Sequence, residues 1–455
     1  MVEEGPRGEA NILKSGEPGQ SAKMLEENPR RRVVITGYGM ITPLGKNAKE
    51  TFERATEAQS GIDYITAFDV SGLPCQIGGQ VKAKWFDDAD DGRNRRLDNF
   101  SSRALKLMRI ATSDAVRQAK LDEISDRSRI GVSLGSHGDN APVEDAVLLH
   151  RFFDGNGHWD IEGLMNEGRY SFLSFYRRKP DIATSILSNL FNCQGSNLSI
   201  VSACSAGAQA IGEAYRIIQT GKCDAMIAGG CEATLNFLGF IGFVLIKALA
   251  ERYPSPQKAS RPFDRKRNGF VMSEGAGAVV LEEMAHARAR GAIIHGELLG
   301  YGDSADAYRI TDTHPKGEGA ILAMRAALED GSLRPEQVDY INAHGTSTPQ
   351  NDLVETKAIQ EVFGQRAQEI PVSSNKSMIG HTIAAAGAIE LILTLMGISH
   401  SIMLPTINYE FPDPKCRLDF VPNESRRKSH RIAISNSFGF GGQNACLCVG
   451  KPDES

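Results

Sequence analysis

No two of the eight cysteines form a C-x-x-C pair, which argues against a structural zinc site. Cys446 and Cys448 alternate in an apolar run and read as packing residues. The scatter of the other six suits a reducing, cytoplasmic setting. No apolar run is long enough to span a bilayer. The longest, Leu235 to Ile246, is interrupted by Asn236 and glycines, and reads as buried core or a subunit interface. A cationic excess is also missing: 51 Lys and Arg face 56 Asp and Glu, so the net charge of −5 gives no overall pull toward nucleic acid. Residues 1–31 lack an apolar stretch, so they are no secretory signal, and their acidity argues against a transit peptide. Polar and non-periodic, they are expected to form a disordered N-terminal extension.

What is present is an ordinary soluble composition, 41% hydrophobic and 24% charged, in a chain of 455 residues that can bury a large core. Strand-like runs at 32–36, 130–134, 198–202, 225–228 and 278–281 form one set. Runs at 294–299, 338–341, 372–373, 431–435 and 445–449 form another. Helical patterns fill 103–119, 208–219, 320–328, 353–362 and 385–398. This alternation predicts an α/β fold with parallel or mixed sheets covered by helices. The two sets break near residue 290, and the turn holding Cys204 is expected to have its counterpart in the turn holding His344.

Cys204 lies in Ser202-Ala203-Cys204-Ser205-Ala206-Gly207, where a strand gives way to a helix. A helix N-terminus offers unpaired N–H groups and a positive dipole end. That setting predicts a lowered thiol pKa and a thiolate near neutrality. His344, in Asn342-Ala343-His344-Gly345-Thr346-Ser347-Thr348-Pro349, and His381, in Ser374-Asn375-Lys376-Ser377-Met378-Ile379-Gly380-His381, each follow a strand-like run in a Gly/Ser/Thr-rich turn. Cys204 taken alone reads equally well as a buried inert thiol, and the histidines also read as loop braces. His286, His400 and His430 read as solvated or helix-end residues.

Further strings stand in order around these: Val34-Ile35-Thr36-Gly37-Tyr38-Gly39-Met40, Ser260-Arg261-Pro262-Phe263-Asp264, Asn268-Gly269-Phe270-Val271 and Asn436-Ser437-Phe438-Gly439-Phe440-Gly441-Gly442. With them the chain, from about Arg32 onward, resembles the β-ketoacyl-[acyl carrier protein] synthases, most of all the synthase II type. The resemblance implies a thiolase-like five-layer αβαβα fold of two pseudo-equivalent halves. Residues 32–290 would carry the nucleophilic cysteine and 291–455 both catalytic histidines. It implies that Cys204 holds an acyl group, and that the N–H groups of Cys204 and Phe440 form an oxyanion hole in a loop freed by Gly439, Gly441 and Gly442. His344 and His381 would stabilise an enolate, Lys376 would organise them, and Glu390 would support the network. Lys376 and Glu390 read also as a structural ion pair. Thr311, Thr346 and Thr348 would contact a pantetheine arm, though the hydroxyls of Thr346 and Thr348 also read as backbone caps.

The resemblance implies no cofactor, no metal, a homodimer, and an acidic acyl carrier protein as partner. Two basic clusters could receive the carrier: Arg93, Arg95 and Arg96, and Arg265, Lys266 and Arg267. The chain departs from the family between Gly135 and Cys204, where it is longer around residues 139–179. Acyl preference therefore stays open, as does a specialised polyene, polyketide or unusual-lipid pathway. A thiolase would need a second reactive cysteine where Phe440 stands. A chain-initiating synthase would use Cys-His-Asn, whereas this chain has His381. A non-catalytic chain-length partner would lack Cys204.

Overall fold

A computed structural model describes residues 30–87, 97, 99–140, 143–168, 172–310 and 312–452. Most of the expected extension, the Arg93 cluster and Thr311 lie outside the described residues. Arg30 and Arg31, at the end of that extension, are ion-paired with Asp330 at 2.7 Å and Asp224 at 2.9 Å.

The ten expected strands all form, and they pair edge to edge in one sheet. The first five are β1 (Val33–Ile41), β2 (Ile130–Gly135), β3 (Asn197–Ile200), β4 (Ala225–Glu232) and β5 (Gly275–Glu283). The second five are β6 (Gly296–Ala305), β7 (Tyr340–Asn342), β8 (Val372–Ser373), β9 (Ile432–Phe438) and β10 (Gln443–Gly450). Strand β4 runs past its expected end because pairing on both sides, with β2 and β5, overrides the weak strand preference of Gly229 and Gly230. The spatial order is 3-2-4-5-1 in the first five and 8-7-9-10-6 in the second. In each five, three parallel strands lead into two antiparallel pairings, so only the fourth strand in spatial order runs against the rest. A short antiparallel contact of Val33–Ile35 with Gly296–Leu298 joins the two.

Seven helices position the site: α1 (Arg103–Ala119), α2 (Ile182–Leu190), α3 (Ala206–Gln219), α4 (Phe237–Leu245), α5 (Glu318–Asp330), α6 (Pro349–Phe363) and α7 (Ala386–His400). Helices α1 and α2 cover the outer face of the first five strands, and their apolar residues share a core with β2, β4 and β5. Helices α5 and α6 cover the outer face of the second five. Helices α3 and α7 touch each other and strands of both halves, so they form the middle layer. The result is α, β, α, β, α. Ile383–His400 is long and apolar enough to cross a membrane by length and composition, but 89% of it is buried inside the fold. A helix between two β layers needs apolar residues all round.

The symmetry differs from expectation. In the repeated order β3 corresponds to β8, so the Cys204 turn corresponds to the turn after β8, not to the His344 turn after β7. Both turns hold a left-handed non-glycine residue, Ala203 at φ 47° and Ile383 at φ 43°. Both then open a helix with Ala-Gly-Ala, residues 206–208 and 386–388. The glycines allow the two helices to touch. A Cβ on Gly207 would lie 2.6 Å from the Ala384 carbonyl oxygen, and one on Gly387 would lie 2.7 Å from the Ala208 Cβ.

The buried-core reading of Leu235–Ile246 holds for one face only. Asn236 caps α4 by accepting the Gly239 N–H at 3.0 Å, and Phe240 is fully buried. Phe237, Leu238, Leu245 and Ile246 are exposed. The longer 139–179 stretch folds into short helices at Val143–His150, Ile161–Glu167 and Phe172–Tyr176, with Trp159 and Phe175 about half exposed.

Candidate active site

Cys204 sits in a single 3-10 turn between β3 and α3, after the left-handed Ala203. Such a backbone costs on the order of 1–3 kcal/mol and turns the next side chain sharply out of the strand direction. The sulfur is buried. Burial pushes its pKa up to about 12, opposed by the Lys376 charge and by hydrogen bonds from the backbone N–H groups of Phe440 and Cys204. The expected lowering by the helix end is therefore overturned: loss of hydration outweighs the dipole.

The Nε2 atom of His381 lies 3.0 Å from the Cys204 sulfur. Its Nδ1 accepts the Ile383 N–H at 3.3 Å, so the ring proton resides on Nε2 and points at the sulfur. Ile383 is the left-handed residue of the symmetry-related turn, which ties this tautomer to the fold. The His344 ring stands edge-on to His381, with centroids 5.3 Å apart and planes at 83°. Burial and the Lys376 charge hold both histidines well below the usual imidazole range, so both are neutral.

Lys376 is fully buried behind the pair and donates to Glu390 Oε1 on α7 at 2.5 Å. Burial raises the Glu390 carboxyl to about 7, opposed by Lys376. Cys204, His344 and His381 bring their ligand atoms within 4.8 Å of one another, which is also a metal-like grouping. The Lys376 ammonium, whose field already depresses both rings, disfavours a cation there.

The three side chains open into a cavity of about 420 Å³, also lined by Phe270, Thr346, Thr348, Gly439 and Phe440. Gly439 lies close to the Cys204 turn: a Cβ there would stand 3.1 Å from the Ser202 carbonyl oxygen. Gly441, at φ 84°, is not in the lining; its N–H donates to the Ile310 carbonyl at 2.7 Å. The Thr348 hydroxyl caps α6 by accepting the Asn351 N–H at 3.3 Å, and it lies 2.9 Å from the Thr346 hydroxyl. The capping reading thus holds for Thr348 even as both threonines face the cavity.

Residues 30–287 match the family described as Beta-ketoacyl synthase, N-terminal domain, and residues 295–410 match Beta-ketoacyl synthase, C-terminal domain. The chain belongs to the beta-ketoacyl synthase family. The synthase is 42% identical over 430 residues to 3-oxoacyl-[acyl-carrier-protein] synthase 2 of Synechocystis sp., covering 93% of this chain and 98% of the relative. A beta-ketoacyl synthase of Burkholderia phymatum superposes with TM-score 0.82 at 31% identity, covering 93% of this chain and all of that one. A type II polyketide ketosynthase, solved in complex with its acyl-carrier protein, superposes with TM-score 0.81 at 31% identity and the same coverage.

Several residues of the synthase escaped the sequence reading. Glu355 on α6 accepts the N–H groups of His344 at 2.8 Å and Gly345 at 2.7 Å, and Asn436 donates to it at 3.2 Å. Asp352, one turn earlier, accepts the Ser347 N–H at 3.1 Å. Their i,i+3 spacing just after Thr348-Pro349 marks two acids on one face of a helix start, a signal the sequence does carry. Two other readings change. Arg267 is not a docking residue: it is buried and pairs with Asp413 at 2.7 Å. His430 is buried rather than solvated, because its ring packs beside Tyr340.

Proposed function

We propose that this synthase joins an acyl group held on Cys204 to malonyl-[acyl carrier protein] by decarboxylative Claisen condensation, lengthening a fatty acyl chain by two carbons. One observation carries the reading: a buried sulfur meets an Nε2–H donor from His381 and two backbone N–H groups at the end of one cavity. The Cys204 thiol attacks a carrier thioester. A new C–S bond forms, the old one breaks, and the thiol proton leaves with the carrier thiol. The N–H groups of Cys204 and Phe440 hold the oxyanion on the way. The malonyl C–C bond to its carboxylate then breaks, CO2 departs, and the electron pair passes into an enolate. Neutral His344 and His381 donate to the enolate oxygen, which is where negative charge grows. The carbanion attacks the Cys204 thioester, a C–C bond forms, the acyl C–S bond breaks, and the released thiolate takes up a proton from solvent.

Lys376, fixed by Glu390, keeps both rings neutral and thus in the donor state. Thr311, Thr346 and Thr348 contact the pantetheine arm, and Gly439 and Gly441 shape the loop that presents Phe440. The carrier protein is acidic and docks on the exposed Arg265 and Lys266, with the Arg93 cluster as a second contact. Residues 32–290 and 291–455 act as the two halves of one enzyme. The synthase works as a homodimer in the cytoplasm, in keeping with eight free cysteines. Exposed Val201 beside edge strand β3, with the bare face of α4, supports a second copy as neighbour.

Intact mass after mixing with acyl carriers of several lengths tests the proposal. One acyl adduct should appear, vanish on adding malonyl carrier, and be missing in Cys204→Ala. No adduct at any length, with the protein folded, would overturn elongation and favour a non-catalytic partner role. The accepted lengths separate fatty acid elongation from a specialised pathway.

A further inference from the structure

We propose that Arg267 is a positioning residue that holds the two walls of the cavity mouth at a fixed separation, so that its removal weakens capture of the carrier-bound arm without slowing chemistry at Cys204. This rests on the condensing function above. The cavity runs between one wall that includes Asn268 and Phe270 and another that includes Thr348 and Pro349. Arg267 opens the first segment, and its side chain, 5% exposed, reaches across to the second. Its Nε donates to the Thr348 carbonyl at 3.2 Å, and its Nη2 to the Pro349 carbonyl at 3.1 Å. The remaining nitrogen, Nη1, donates to the Asp264 carbonyl at 2.9 Å and to Asp413 at 2.7 Å. Asp352, which also anchors the His344 turn through Ser347, lies 3.6 Å from the guanidinium.

One planar fork therefore ties together three separate stretches of chain. A lysine would restore the charge but not the three-way geometry. None of these atoms touches Cys204, His344 or His381, so the tie acts on the width of the mouth rather than on the reacting atoms.

The test uses the full chain with Arg267→Lys, Arg267→Gln and Asp413→Asn. KM and kcat are measured with malonyl carrier, and the alkylation rate of Cys204 with iodoacetamide. Both Arg267 variants should raise KM about tenfold or more, with kcat and alkylation within about twofold of the parent. Asp413→Asn should shift KM the same way by less. Wild-type KM in Arg267→Lys would show that charge alone suffices and would overturn the proposal. So would a fall in kcat and alkylation matching the KM rise, the mark of general loosening. If the Arg267 variants do not fold, Asp413→Asn decides, and an unchanged KM overturns the proposal. A parent protein inactive on malonyl carrier would instead overturn the functional reading, and this inference with it.

Discussion

At Cys204 the sulfur has lost its hydration, and the Lys376 charge with two backbone N–H groups recovers only part of that cost. The resting group is a neutral thiol, and alkylation must draw on a small thiolate fraction. The rate of Cys204 alkylation by iodoacetamide should rise about tenfold per pH unit between about pH 7 and pH 10. A plateau near pH 8 in peptide-resolved mass measurements would contradict this. Glu355 gives a second expectation. Burial raises its pKa from 4.5 to about 7, opposed by the Gly345 and His344 N–H groups. The folded chain binds this proton more tightly than the unfolded one. The resulting stabilisation, on the order of 3 kcal/mol, is full below about pH 4.5 and is lost as pH rises through about 7. Glu355→Gln cannot titrate, so its Tm should vary less between pH 5 and pH 8 than that of the parent. An equal slope would assign the titration to another group. These residue states were not legible in the chain, because burial is set by neighbours far away in sequence.

At the scale of elements, the two halves of the site lie in the turns that lead into α3 and α7, and those helices touch through Gly207 and Gly387. A methyl at Gly207 meets backbone, which cannot yield as a side-chain tip does, so overpacking of about 1–3 kcal/mol outweighs the roughly 1 kcal/mol gained in helix propensity. Gly207→Ala should lower the Tm by several degrees and also cut turnover, since Cys204 and His381 would move apart. A variant with parent Tm and turnover would show that the helices separate freely. All ten strands were legible because short, buried, alternating runs have few other solutions. The helical pattern begins at residue 353, yet α6 starts at Pro349; its Thr348 cap and the proline after it are ordinary start signals. The repeat of Ala-Gly-Ala was visible in the chain, yet three residues carry no meaning until the topology aligns them.

For the whole molecule, β3 ends the sheet and leaves one side without a strand partner among the described residues. Val201 beside it is 54% exposed, and Leu245 on α4 is 74% exposed. Free edges and bare apolar faces attract partners. Val201→Arg should convert a dimer into a monomer, as read by light scattering; a parent that is itself monomeric would remove the dimer proposal. The sequence alone determined the ten strands of the main sheet and five of the helices, because local pattern suffices for these, and its family strings single out Cys204, His344, His381 and Lys376 as candidates. Tertiary structure alone decided that the Cys204 turn pairs with the His381 turn, that the thiol rests protonated, that the Ile383 N–H fixes the His381 proton on Nε2, and that Arg267 faces inward. Each of those depends on which distant segments meet, and on how much water they exclude when they do.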